Sequence, residues 1–179
     1  MLTTDTKVAD YNIDFTRLLY MLSQDMDNLI RQADTKAQII LGVNAIVAAT
    51  GIAGSSLTAH LLTQGASLWA NGATLLTLLM LLSTLASIFF ALYTANPRVA
   101  KDKVANPFFF GTVNKMSQAD YVTFFQELSL QDVKTAVMKE IHAKSFIVEA
   151  KFTSVQRSVN FLFLAIVLWT VSRLLMAIG

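Results

Sequence analysis

The sequence predicts an all-α membrane protein, with three transmembrane helices continuous with a small cytoplasmic helical bundle. Three observations carry that reading. From Ala37 to Pro97 there is no Asp, Glu, Lys or Arg. Apolar residues make up 54% of the chain and charged residues 15%, where soluble domains carry about a quarter charged residues. On either side of the charge-free stretch, apolar residues recur at steps of three and four, the period of a helix face. Water would not tolerate so long an uncharged run, but a bilayer accepts it, since a spanning helix needs about 20 mostly apolar residues.

Residues 8–36 read as an amphipathic helix. Tyr11, Phe15, Leu18, Leu19, Leu22, Met26, Leu29, Ile30, Ala33 and Ala37 lay one apolar stripe along it, opposite Asp14, Arg17, Asp25, Asp27, Arg31 and Asp34. Asp27 and Arg31 stand four apart with the acid first, the mildly favourable order. No Gly or Pro interrupts the segment before Gly42, so the helix is expected to run on into the membrane.

The first span is placed at about 38–58. It holds Ala45, Ala49 and Ala53 at four-residue spacing. Such a row either lets helix backbones approach closely or reflects the abundance of Ala in spans. Asn44 lies inside the span, where a polar amide bonds to a neighbouring helix, so it is assigned to helix–helix packing. A short loop at 59–67 follows, and the second span is placed at 68–95, ending at Asn96-Pro97 because Pro breaks the hydrogen-bond ladder. Trp69 and Tyr93 mark its two ends.

Pro97 and Pro107 punctuate an irregular linker over 97–116. Ser117-Gln118-Ala119-Asp120 then resembles a capping box with Asp in place of Glu, opening a short helix to about Leu128. Ser129-Leu130-Gln131-Asp132 repeats the signature and opens a longer helix. Its stripe of Val137, Ile141, Val148, Phe152, Val155 and Val159 runs without a breaker into a third span at about 160–178.

The predicted organisation is therefore a cytoplasmic amphipathic helix at 1–36 and a transmembrane hairpin at 37–97. A cytoplasmic linker with helices follows at 98–159, and the third transmembrane helix at 160–179. Orientation follows from charge. All Lys and Arg except Arg173 lie before residue 37 or between 98 and 157, and the loop at 59–67 has none. Positive segments stay in the cytoplasm. The N-terminus is thus expected inside and the C-terminus outside, in a multi-pass protein in contact with membrane lipid.

The sequence excludes most chemistry. A net charge of +2 is too small to argue for nucleic acid, and there is no cysteine. The polar N-terminal segment lacks the pattern of a cleavable signal peptide. His60 and His142 fall on opposite sides of the predicted membrane and cannot share a metal. There is no phosphate-cradling Gly-rich loop and no nucleophile elbow, so an enzyme is not expected. Carriers place ionisable groups or broken helices near mid-membrane, and these spans have neither.

What remains is a patch at the inner membrane boundary. Asp34, Thr35 and Lys36 end the first helix, Arg98 leaves the second span, and Lys101, Lys103 and Asn106-Pro107-Phe108-Phe109-Phe110-Gly111 follow. Lys36, Arg98 and Lys151 can converge there with aromatic rings. Two readings fit. Cations hold a phosphate and rings stack on a base, or cations anchor to lipid headgroups while Phe side chains dip into the interface.

Ala33-Asp34-Thr35-Lys36-Ala37-Gln38, leading to Gly42-Val43-Asn44, resembles the signature of the Pycsar transmembrane effectors. Pro97-Arg98, Asn106-Pro107-Phe108-Phe109-Phe110-Gly111 and the pair Asp120-Tyr121 agree with it in order and in placement against the spans. The resemblance covers nearly the whole chain. It implies a bacterial antiphage effector of the inner membrane. A partner uridylate or cytidylate cyclase makes cCMP or cUMP on infection. The effector responds by impairing the inner membrane, which is abortive infection, with the C-terminus then periplasmic. It implies no cofactor, only this regulatory cyclic pyrimidine mononucleotide. On that basis Lys36 and Arg98 are expected at the phosphate, Phe108 or Phe109 at the base face, and Asp34 and Asn106 at the base or ribose. Reoriented spans would expose the Ala45, Ala49, Ala53 row and drive assembly into a homo-oligomer. The alternative is a ligand-independent holin-like or scaffold membrane protein.

Overall fold

The computed structural model describes residues 4–53, 68–96 and 114–178. Four helices make up nearly all of this: α1 (Thr4–Ala53), α2 (Leu68–Ala95), α3 (Gln118–Glu127) and α4 (Leu130–Ile178). No strand occurs among the described residues. The all-α expectation holds. Three stretches, Phe15–Ile52, Asn71–Ala95 and Leu130–Ala177, are long and apolar enough to cross a membrane.

The expected continuity is present. α1 runs 50 residues without a break and α4 runs 49, about 75 Å each at 1.5 Å per residue. α2 matches the predicted second span. The last residues of the predicted first span, the 59–67 loop and most of the 97–116 linker lie outside the described residues.

Both serine signatures act as helix starts. Ser117 Oγ accepts from the Asp120 amide at 3.1 Å and donates to Asp120 Oδ2 at 2.7 Å. Ser129 Oγ accepts from the Asp132 amide at 3.2 Å, and both its hydroxyl and its own amide donate to Asp132 Oδ2, at 2.5 and 3.3 Å. Each box satisfies N-terminal amides that have no partner within the helix. Between the helices Leu128 is extended (φ −68°, ψ 123°), which keeps α3 separate from α4.

The chain divides into two compact units, Met1–Arg31 with Arg98–Glu149, and Gln32–Pro97 with Ala150–Gly179. In the first, Leu19 is buried and Lys134 lies over the Phe15 ring at 5.3 Å. Lys144 donates to Ser23 Oγ at 3.3 Å and pairs with Asp27 and Glu140, each at 2.9 Å. Burial alone would lower the Lys144 pKa. Its hydrogen bonds to Glu140 and Asp27, with their charges, outweigh that and hold it above the usual lysine value.

In the second unit the inward positions step by three and four residues in strict alternation. On α1 they are Ala33, Ala37, Ile40, Asn44, Val47 and Gly51; on α2 they are Ala73, Thr77, Met80, Thr84, Ser87, Ala91 and Thr94. On α4 the same rhythm runs through Lys151, Val155, Ser158, Leu162, Ala165, Trp169 and Ser172. A 3.5-residue repeat keeps one seam facing its neighbours when helices coil left-handed. The seam is built from small and polar residues, while Leu75, Leu82, Leu85 and Phe89 face outward. In lipid that is the favourable arrangement, because small residues permit close backbone approach and polar ones bond across helices. Gly51 shows the fit: a Cβ there would lie 2.9 Å from Met80 Sδ.

Asn44 is fully buried and donates from Nδ2 to Ser87 Oγ at 2.8 Å and to Ile40 O at 2.9 Å. Its assignment to helix packing is correct. Ser87 Oγ donates to Ser158 O at 2.8 Å, and Ser158 Oγ returns to Ser87 O at 2.7 Å. One rung on, Ser83 Oγ donates to Phe161 O at 2.7 Å. At the far rung, Ser172 Oγ donates to Ala73 O at 3.0 Å and lies 3.0 Å from Thr77 Oγ1. The contacts of 44 with 87 and 51 with 80 make α2 antiparallel to α1, and those of 87 with 158, 83 with 161 and 73 with 172 make it antiparallel to α4.

The alanine row needs correction. Ala45 and Ala49 are exposed, so they do not bring α1 against its neighbours, and no reorientation is required to uncover them. The inward row is the one carrying Asn44, whose amide needs partners inside the bundle. A step of one residue turns about 100° around the helix and puts Ala45 on the outer face. The side chain of Ala53 lies outside the described ones.

Ser87→Ala removes the acceptor of Asn44 and the donor to Ser158 together, whereas Ser83→Ala removes one bond. With interhelical bonds in lipid at about 0.6 kcal/mol each, Ser87→Ala is expected to destabilise by roughly 1–2 kcal/mol and by more than Ser83→Ala. Reversible unfolding in detergent micelles checks the order, and equal losses would contradict it.

Candidate functional site

Asp34 and Lys36 stand at one level of α1 with Ala91 of α2 and Lys151–Phe152 of α4, all within the second unit. Small residues set this level. Ala33, Ala37 and Ala91 are fully buried and pack with Ile40 and Val155, and Leu41, Phe152 and Leu162 close around them. That close approach lets Lys151 of α4 reach Asp34 of α1.

Lys151 donates to Asp34 Oδ1 in an ion pair. The lysine side chain is 5% exposed and the aspartate 34%. Two residues on, Lys36 is exposed, and its ammonium lies 5.0 Å from the centre of the Phe152 ring. An ammonium over a ring face is attracted by the ring's quadrupole and keeps its outer side free for an anion. A second cation–ring pair lies nearby, with Arg157 Cζ 5.8 Å from the Phe90 ring. Phe90 in turn stacks on Phe161 with centroids 5.6 Å apart. At the C-terminal end of α2, Phe89, Leu92, Tyr93, Ala95 and Asn96 line a shallow open groove.

Of the six expected ligand residues, Asp34 and Lys36 can be placed. They share a helix turn but have different partners, Asp34 in an internal ion pair and Lys36 over an aromatic ring. Arg98, Asn106, Phe108 and Phe109 lie outside the described residues, as do Pro97, Lys101, Lys103 and His60. Asp120 closes the capping box that Ser117 opens on α3, and Tyr121 packs on Phe125 with ring centres 4.8 Å apart, so that pair has a local structural role. His142 is exposed, edge-on to Phe146 at 4.9 Å.

Phe152, the platform of Lys36, and Phe90, the platform of Arg157, are not among the residues that the sequence singles out for the site. Phe152 was assigned to an apolar stripe, and nothing in sequence spacing relates it to Lys36. The Asp34 partnership is legible in the sequence only as equal depth, because Lys151 precedes the third span on a different helix.

The ion pair is asymmetric, and the asymmetry is testable. Asp34→Ala leaves a buried ammonium unpaired, which is expected to destabilise by about 3 kcal/mol. Lys151→Met leaves a carboxylate with access to water and is expected to cost far less. Detergent unfolding midpoints of the two variants check this, and a larger loss for Lys151→Met would contradict it.

Comparison with known proteins bears on the whole constellation. A family model described as the Pycsar effector protein domain matches residues 18–177. That span takes in α2 and α3 entirely and nearly all of α4. No curated protein and no solved structure matches the chain. With the family model extending over almost the full sequence and all three apolar helices, the chain belongs to the Pycsar effector family.

Proposed function

We propose that this protein is the membrane-acting arm of an antiphage signalling pair. A partner cyclase makes a cyclic pyrimidine mononucleotide, cCMP or cUMP, on infection. The effector binds it and compromises the bacterial inner membrane, so the cell stops before phage matures. The observation that carries this reading is the family match over residues 18–177. The charge-free stretch from Ala37 to Pro97 and the three apolar helices support the membrane as the target. The distribution of Lys and Arg supports a cytoplasmic N-terminus and a periplasmic C-terminus.

The cyclic phosphate carries one negative charge and accepts charge-assisted hydrogen bonds. Lys36 and Arg98 are assigned to it. Phe108 or Phe109 stacks on the base, and Asp34 and Asn106 take the hydroxyl of the ribose or a donor on the base. A carboxylate beside a phosphate would be repelled. The Lys151 ammonium on Asp34 offsets that repulsion, which fits Asp34 to a hydrogen-bond donor.

Coupling follows from helix continuity. α1 and α4 are each a single helix from the soluble-type sequence into the apolar spans. A ligand shifts such a helix only through its differential affinity for two states. A change from 1:99 to 99:1 needs a preference of about 10⁴. Assembly into a homo-oligomer is the expected end of that shift.

Liposomes carrying the purified protein and an entrapped dye give the test. Leakage is expected with cCMP or cUMP and not with cAMP. Leakage indifferent to nucleotide would return the protein to the holin-like alternative. Arg98→Ala is expected to weaken nucleotide binding about tenfold to a hundredfold, the loss of a charge-assisted bond, with membrane insertion intact. Unchanged affinity by calorimetry would remove Arg98 from the site.

A further inference from the structure

The second unit hides polar groups and shows apolar ones. Asn44, Thr77, Ser83, Ser87, Ser158 and Ser172 are all buried, along a stretch of the chain that is otherwise aliphatic. Their hydroxyls and amide face the helix seam, while Leu75, Leu82 and Leu85 face outward. Bonds between these groups hold the closed bundle together in lipid. The seam also carries more hydrogen-bonding capacity than the closed packing uses. Asn44 is fully buried and its Oδ1 has no hydrogen-bond partner. Trp169, also at a seam position, has a buried Nε1 with no partner. An unpaired buried polar atom is costly in a low-dielectric interior and is relieved by water.

We infer that this hydroxyl seam is the surface that lines the membrane lesion: water and small hydrated ions pass along Asn44, Ser87, Ser158, Thr77 and Ser172 when the helices part. The inference rests on the proposed membrane-permeabilising function and names the residues that carry it out. Two physical facts support it. Opened into lipid, Ser83, Ser87, Ser158 and Ser172 would lose the acceptors they have on the facing helix, a state that hydrocarbon disfavours. Opened into water, each is solvated, and the outward Leu and Phe side chains stay in lipid without rearrangement. Three helices enclose too little space for a hydrated path, so several copies must pool their seams. Ala45 and Ala49, with Ile39 and Ile46, are exposed on α1 and open to that contact.

The protein has no cysteine, which makes the test direct. Ser87→Cys and Thr77→Cys place single thiols on the seam at two depths, and Leu85→Cys places one on the outer face, where Leu85 is 62% exposed in the isolated chain. Proteoliposomes of each full-length variant are treated with a charged, membrane-impermeant thiosulfonate. Dye leakage is followed alongside, without nucleotide and with cCMP or cUMP. Because only a thiolate in water reacts, the labelling rate at both seam positions is expected to rise about tenfold or more with leakage. Leu85→Cys is expected to stay unlabelled, and the charged adduct on the seam to slow further leakage. Leakage with both seam thiols unlabelled, or with Leu85→Cys labelled equally, overturns the seam as the lining and leaves the effector function standing. Absence of leakage with either nucleotide in the cysteine-free protein overturns that function and this inference with it.

Discussion

One cluster of hydrogen bonds holds the apolar half of the protein in register. Asn44, Ser87 and Ser158 come from three different helices, and all three are fully buried. In a bilayer the hydrophobic effect gives helices no reason to prefer one another over lipid, so association rests on packing and on polar contacts. An amide and two hydroxyls at one level leave little freedom. If α2 slid by the turn that brings Ala91 opposite Asn44, the amide would lose its acceptor on α2. The small residues on either side, Ala33 and Ala37 on α1 and Ala91 on α2, follow from this requirement, because only short side chains let the polar groups come within bonding distance.

The candidate ligand level is built on the same close approach. Lys151 reaches Asp34 where the buried Ala33, Ala37 and Ala91 pack with Ile40 and Val155. Lys36, two residues on, has its ammonium over Phe152 and is exposed. One turn of α1 thus holds a neutralised carboxylate and an available cation with different tasks. Buried charge at such a level is tolerated only when paired. The pair also offsets the charge of Asp34 at that level.

Much of this architecture was legible in the sequence, for physical reasons that can be named. Charge exclusion from Ala37 to Pro97 revealed the spans because no other environment accepts such a stretch. Ser117 and Ser129 marked two helix starts because capping is a local interaction among four residues. Asn44 was read as a packing residue because an amide in hydrocarbon has few alternatives. The seam was not legible. Ala45 and Ala49 form as regular a row as Ala33 and Ala37, and spacing alone cannot say which of two adjacent faces turns inward. The ring under Lys36 and the acid on Lys151 involve residues more than a hundred positions apart, which periodicity does not relate. The site residues on the 97–113 segment rest on family resemblance and on the proposed function.

The rungs of hydroxyls between α2 and α4 have a kinetic consequence. Ser87 with Ser158, Ser83 with the Phe161 carbonyl, and Thr77 with Ser172 occur in succession along the two helices. Each rung is weak alone, and each can open before its neighbour does. Such a fastener behaves as a zipper and not as a latch. Brief fraying at one end closes again without effect, and only a pull that outlasts several rungs separates the helices. A partial opening between α2 and α4 therefore closes again, and their separation requires the loss of every rung, a reversibility written into the order of serine and threonine along two helices.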